Sequence, residues 1–214
     1  MRAIISVLLF LFSFIENKEQ TVAVESCPTE TKETKADFRV ALKNLMSHEG
    51  FYVNHPVDRG KETYCGISRV FSPQWKGWEY VDKYKRAHKL VWNDSIPEPM
   101  LDWLVKDHYL DIWIGEKYYD LEDQEIANYL FDFRVNSPYA NNIIRRSLNE
   151  MDSNIPLAGI MDSTTVKTIN NCDKNKFMLL LLGNRAQFYC NIVIRDKSQL
   201  IFLGHWITRT KIKA

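Results

Sequence analysis

The chain has 214 residues, 45% of them hydrophobic and 13% aromatic, with a formal net charge of +1. That is ample apolar material for one compact domain, or for one domain with an appended subdomain. A charge so near zero excludes nucleic-acid binding by bulk electrostatics, and no repeat or low-complexity tract stands out. In chain order the first feature is Met1-Arg2, followed by uncharged residues from Ala3 to Ile15. This is a basic n-region and an h-region of signal-peptide length, too short to span a bilayer comfortably. Thr21-Val22-Ala23 offers small residues for cleavage. Residues 1–23 are therefore expected to be a signal peptide, or else a short tethering segment that gives transient membrane association. Both alternatives send the bulk of the chain out of the cytoplasm, to the periplasm or the medium. Residues 24–36 are polar and unpatterned, as in a linker.

The next stretch predicts an amphipathic helix, because Phe38, Ala41, Leu42, Leu45 and Met46 recur at helical spacing. The same face comes round again at Glu49, and Gly50 can take the positive φ that ends a helix. A carboxylate on the apolar side of a helix end is costly to ionise, which suits a general acid; the alternative is a surface Glu at a frayed end. Asp58 follows nine residues later and Thr63 five after that, with Gly60 and Gly66 punctuating an irregular segment. Two carboxylates that can flank a bond and a hydroxyl that can hold a water are thus gathered in one short run.

From Glu49-Gly50-Phe51-Tyr52 through Asp58 and Thr63-Tyr64-Cys65-Gly66-Ile67, this run resembles the Glu-Gly-Gly-Tyr segment of the glycoside hydrolase family 108 muramidases. The spacing of Glu49, Asp58 and Thr63 is also close to that of phage T4-type lysozymes. The resemblance implies a lysozyme-like, mainly α (all-α) fold acting on bacterial peptidoglycan, with Glu49 as the essential catalytic residue. Asp58 would then stabilise charge or act as base, Thr63 would position water, and Tyr52 and Asn136 would meet the sugar. Departures are Phe51 for the second Gly, Lys61 where a Gly pair precedes the Thr, and Pro138 where a Gly closes a later motif. Lys61 puts a Cβ into a turn the family makes with Gly.

Residues 71–120 are rich in aromatics, most of them expected in the core, with Pro97 and Pro99 between two helical patterns. Ile126, Ala127, Leu130, Phe131 and Phe133 form a further apolar stripe, and Ile143, Ile144 and Leu148 another. Asn136 and Ser137 either line a cleft or cap the helix that follows, capping being favoured by residue type. A short helix through Val166 and Ile169 comes next, and the apolar run Phe177–Leu182 predicts a helix buried on most sides. Phe131-Asp132-Phe133-Arg134-Val135-Asn136-Ser137, Arg185-x-x-Phe188-Tyr189 and Gly204-His205-Trp206-x-x-Arg209 again resemble family 108 segments, while Gly159–Thr165 keeps a family turn only in part, with Asp162 inside it. The resemblance spans residues 38–210. It divides the chain into a catalytic region, 37–120, and a peptidoglycan-binding-like region, 121–214, packed as one globule.

Four cysteines are an even count, so an exported chain is permitted disulfides, and Cys172 and Cys190 flank a helical run. Cys65 has no His/Asn partner motif and is expected to be packing rather than a nucleophile. The histidines form no metal-binding motif; no metal and no cofactor are expected, and the chain is expected to act as a monomer. The expected function is an N-acetylmuramidase cleaving the β-1,4 bond between N-acetylmuramic acid and N-acetylglucosamine. Two alternatives stay open: a peptidoglycan-binding protein of the same fold without catalysis, and a lytic transglycosylase, against which Asp58 argues.

Overall fold

The computed structural model describes residues 35–47 and 49–210, within a compact unit spanning 33–214. The leader-like segment, most of the linker and Cys27 lie outside the described residues. The chain is mainly α, as expected. Helices are α1 (Phe38–Met46), α2 (Gly77–Ala87), α3 (Pro99–Gly115), α4 (Gln124–Asn136), α5 (Ala140–Asn149), α6 (Ser163–Asn171), α7 (Lys174–Arg195) and α8 (Leu200–Thr208). The segment read as irregular is a small antiparallel sheet, β1 (Tyr52–Asn54), β2 (Glu62–Tyr64) and β3 (Ile67–Ser68), in the order β1-β2-β3. Strands of two or three residues are too short to show alternation in a sequence.

Aspartates start many of the helices by accepting hydrogen bonds from otherwise orphaned N–H groups. Asp37 receives Arg39 N at 2.7 Å, Asp123 receives Glu125 and Ile126 N, and Asp173 receives Lys176 N. Asp162, a departure from the family turn, has the same job on α6: it takes Thr165 N at 2.7 Å and is paired with the buried Arg145. Pro99 stands in the first turn of α3, where its missing N–H costs nothing.

At the centre lies α4, whose Leu130, Phe131 and Phe133 are fully buried. Around Phe131 gather Phe38 of α1, Tyr109 and Trp113 of α3, and Tyr118, all at ring-centroid distances of 5.4–6.2 Å. Burying one such ring contributes about 1.5–3 kcal/mol. Beyond α4 the packing continues to α5, then α7, then α8.

One expectation for the second half needs correction, and the pairing left open for its cysteines is answered. α7 is buried along one stripe only, Phe177, Leu181, Arg185, Tyr189 and Val193, while Leu179 is 71% exposed. The helix lies at the edge of the bundle, so a run of leucines meets the core on one face. By length and composition it could cross a membrane, yet that stripe, Arg185 included, faces protein. Cys172 and Cys190 are free thiols, with Cys172 capping α6 and Cys190 inside α7, about 24 Å of helix from its start.

Candidate active site

α1 ends at Met46, earlier than the Gly50 expected to stop it. Ser47 closes the helix, its N–H and hydroxyl both donating to Asn44 O, and the Glu49 N–H still reaches Leu45 O at 3.3 Å. Glu49 therefore stands just past the helix rather than in its last turn. Gly50 is not among the residues with positive φ. The chain is already turning into the sheet, with Cys65 N donating to Phe51 O.

Across from Glu49 is the turn between β2 and β3. Tyr64 and Ile67 pair, and Cys65 and Gly66 between them have φ of 49° and 81°. Positive φ at both central residues is the type I′ pattern, which matches the twist of a tight hairpin. The Tyr109 hydroxyl, 1% exposed as a residue, donates to Cys65 O at 2.6 Å and pins the turn. Gly66 is required twice over. A Cβ there would lie 2.6 Å from the Tyr109 hydroxyl and 2.8 Å from Glu49 Oε2. The bare backbone lets the carboxylate lie against the turn. Cys65 is 4% exposed, and burial pushes its thiol up to about 12, so it stays protonated and inert.

Asp58 and Thr63 come together around Gly60. Asp58 Oδ1 accepts from Gly60 N at 2.8 Å, and the Ser68 hydroxyl donates to Gly60 O at 2.7 Å. A Cβ on Gly60 would meet Asp58 Oδ1, Ser68 Oγ and Thr63 Oγ1 at 3.3–3.4 Å. Ser68 is a member of this group that sequence reasoning missed. Lys61 takes φ of 52° in the position where the family has Gly, and its ammonium donates to Pro56 O. Glu49 thus lies against the β2–β3 turn of the small sheet, while Thr63 of β2, Ser68 of β3 and Asp58 of the β1–β2 loop gather around Gly60.

The two other expected site residues are engaged elsewhere. Tyr52 is 6% exposed, and its hydroxyl donates to Glu62, which also pairs with Lys85 and Arg69. Asn136 ends α4 and accepts from the Tyr189 hydroxyl at 2.6 Å. It does not cap α5, but Ser137 does serve its entry: the Ser137 hydroxyl accepts from Tyr139 N at 3.2 Å, while Tyr139 itself makes no side-chain capping bond. Pro138 holds Ser137 extended, the conformation from which a side-chain oxygen accepts the first N–H groups of the helix that follows.

Sequence reasoning also missed the cations. Arg209, just beyond α8, donates to Glu49 Oε1 at 2.5 Å and to Asp132 Oδ1 at 2.7 Å. Arg185 of α7 donates to Asp132 Oδ2 at 2.6 Å. Burial alone would raise the Asp132 carboxyl, but the Arg209 and Arg185 guanidiniums outweigh it and hold it below the usual carboxylate range. Arg185 is itself surrounded by the rings of Phe133, Tyr129 and Tyr189, at 4.5, 4.9 and 5.6 Å. The segments that carry these residues are visible in the sequence, but nothing local connects positions 132, 185 and 209. The expectation of a purely apolar setting for Glu49 is corrected accordingly: a guanidinium faces one of its oxygens.

The loop bearing Asp58 is fastened by the same end of the chain. Arg59 pairs with Asp196 at 3.0 Å, Gln199 donates to Val57 O at 3.1 Å, and Phe202 packs edge-on against His55. Among the described residues no group of three or more His, Cys, Asp or Glu side chains converges as a metal site would need.

Comparison with known proteins bears on this segment. The chain is similar in fold to a solved structure, "Structure of Brucella abortus SagA", with a TM-score of 0.55 and 18% identity, over 81% of this chain and 92% of that one. A comparison with curated proteins gives no match. Residues 42–137, from α1 to just past α4, match the sequence model of the family Glycosyl hydrolase 108, and this stretch contains Glu49, Asp58, Thr63 and Asp132. The match supports a glycoside hydrolase with peptidoglycan as its substrate.

Proposed function

We propose that the protein is an N-acetylmuramidase that hydrolyses the β-1,4 bond between N-acetylmuramic acid and N-acetylglucosamine. The observation that carries this is the placing of Glu49 against the Gly66 turn, with Asp58 and Thr63 gathered around Gly60 of the same small sheet and its loop, inside the stretch similar to glycosyl hydrolase 108. Oε1 of Glu49 takes the Arg209 hydrogen bond, which leaves Oε2 to carry the proton. Glu49 hands that proton to the glycosidic oxygen as the bond breaks. Asp58 stabilises the positive charge on the sugar or activates water, and Thr63 holds the water. Tyr52 and Asn136 support the site from within the protein.

Exposed rings fit a glycan. Phe51 and Trp92 are 43% and 77% exposed, and their backbones are held side by side by Asn93, which accepts from Phe51 N and donates to Tyr52 O. Aromatic faces of this kind stack on sugar rings. Such a substrate lies outside the cytoplasm, in keeping with a leader-like segment at residues 1–23.

The test is turnover of purified peptidoglycan. The protein clears the suspension and releases reducing ends, and Glu49→Gln loses at least ~10² in rate while keeping its fold. A folded Glu49→Gln protein within a few-fold of the parent sinks the assignment. Product mass decides between hydrolysis and transglycosylation, because only the former adds water. A folded parent without turnover at any pH from about 4 to 8 points to binding without catalysis.

A further inference from the structure

The charged residues of the second half form a buried row. Arg185, Asp132 and Arg209 have side-chain exposures of 0, 7 and 5%, and Glu49 continues the row at 13%. Signs alternate along it, cation to anion to cation to anion. The inner end is also tied down, since Arg185 Nε donates to the Tyr189 hydroxyl at 2.9 Å and that hydroxyl donates to Asn136. Buried ion pairs add little net stability compared with apolar residues of the same volume. What such a row supplies is a fixed direction for the groups in it.

The helix that brings Arg209 is attached in an unusual way. α8 has no fully buried residue; Leu203 and Trp206 pack against the core from its half-buried face, the Trp206 ring stacks on Tyr189, the Phe202 ring meets His55, and Arg209 follows just after its end. Its contacts thus run to the loop that holds Asp58, to the inner end of the row, and to Glu49. Three segments far apart in sequence, around Asp132, Arg185–Tyr189 and Trp206–Arg209, converge on one carboxylate.

We propose that Asp132 is a positioning residue for Glu49, acting through Arg209, and that this is what the second half of the chain contributes to catalysis. The inference rests on Glu49 being the general acid. Asp132, itself fixed by Arg185, sets the guanidinium of Arg209; the guanidinium occupies Oε1 and so turns Oε2 toward the bond to be cleaved. A misplacement of about 1 Å in such a group costs on the order of 10²-fold in rate. Substrate affinity is set elsewhere and stays.

The experiment measures kcat and KM separately on soluble glycan-strand fragments. Asp132→Asn lowers kcat on the order of 10²-fold, with KM changed less than about twofold. Arg209→Ala, which opens a space beside Glu49, shows a similar loss and regains most of it when free guanidinium is added; the parent gains nothing. A folded Asp132→Asn protein with the parental kcat, a loss confined to KM, or absence of guanidinium rescue overturns the proposal. A second measurement needs no turnover: the thermal midpoint shift caused by Glu49→Gln, in the parent and in Arg209→Ala. Different shifts in the two backgrounds support the link; equal shifts overturn it. Different shifts in a parent that never cleaves glycan keep the link and overturn the glycosidase reading instead.

Discussion

On one oxygen of Glu49 the chain presents a turn made within two residues, Cys65 and Gly66; on the other it presents Arg209, which arrives from 160 residues away. The turn acts by sterics. It needs a residue without a Cβ, a hydroxyl from Tyr109 and nothing else. The row through Arg209 acts by charge and needs four residues from four segments; loss of an inner member, Asp132 or Arg209, leaves the ion at that end of the row uncompensated. The difference teaches that one side of the site tolerates polar change but no added atoms, while the other tolerates small changes of volume but no loss of charge.

Acid is the largest perturbation of the charge side. Arg209 and Arg185 hold Asp132 below the ordinary carboxylate range in the folded protein. A folded pKa below the unfolded value near ~3.9 means that the stability is fully present above that value. It is lost as the pH falls through the folded pKa. Protonation strands the buried Arg185 guanidinium and leaves Arg209 with Glu49 alone, and breaking such a buried pair costs about 3–5 kcal/mol. The thermal midpoint should be flat near neutrality and fall steeply below about pH 4; in Asp132→Asn the acid limb should flatten from a lower plateau. An unchanged acid limb in that variant would show that other carboxylates govern it.

Next in size is Gly66→Ala. The added Cβ meets the Tyr109 hydroxyl and the Glu49 carboxyl and forces a positive φ on a residue that resists it. About 1–3 kcal/mol of stability should go, and the protein that remains folded should turn over at least ~10-fold more slowly because Glu49 is displaced. Denaturant titration and turnover on the same sample check both. A fully active Gly66→Ala protein would mean that the close approach has no part in catalysis.

Cys65→Ala should cost about 1 kcal/mol, as the loss of one small buried group, and keep most of the turnover. Complete loss at an unchanged midpoint would give the thiol a chemical role. Smallest is Lys61→Gly. Relief of a left-handed φ is offset by glycine's greater freedom when unfolded and by loss of the bond to Pro56 O, so stability should move by less than about 1 kcal/mol. Activity should be equal or better; a large fall would place Lys61 at the substrate.

The steric side of the site was legible in the sequence because its parts are neighbours. Glu49, Asp58, Thr63 and Gly66 fall within one short run, and their spacing carries the resemblance. The strands that hold them were not legible, being too short for a pattern. Lys61 showed its strain in advance: a Cβ where a turn uses Gly does take a positive φ. The end of α1 was misplaced because Gly50 looked like a stop, while the hydroxyl of Ser47 closes the helix first. α7 misled for the opposite reason, since six apolar residues in a row say nothing about how many faces are covered. For the charge side, Arg185 and Arg209 are ordinary cations in helical segments. Only the folded chain shows that both point at Asp132.

A sequence separation of 160 between Glu49 and Arg209 also sets an order in time. Synthesis delivers the acid early and its counter-ion late. Until α8 has been made and docked, the carboxylate lacks the group that orients it, and the loop around Asp58 lacks its fastening to Asp196 and Gln199. A chain stopped before α8 therefore carries Glu49, Asp58 and Thr63 without Arg209 beside the first of them. On the proposed reading of Glu49 as the acid, turnover waits for α8 to dock, a safeguard written into the topology. Proteolytic removal of α8 and Arg209 would reinstate that state and leave Glu49, Asp58 and Thr63 in the chain.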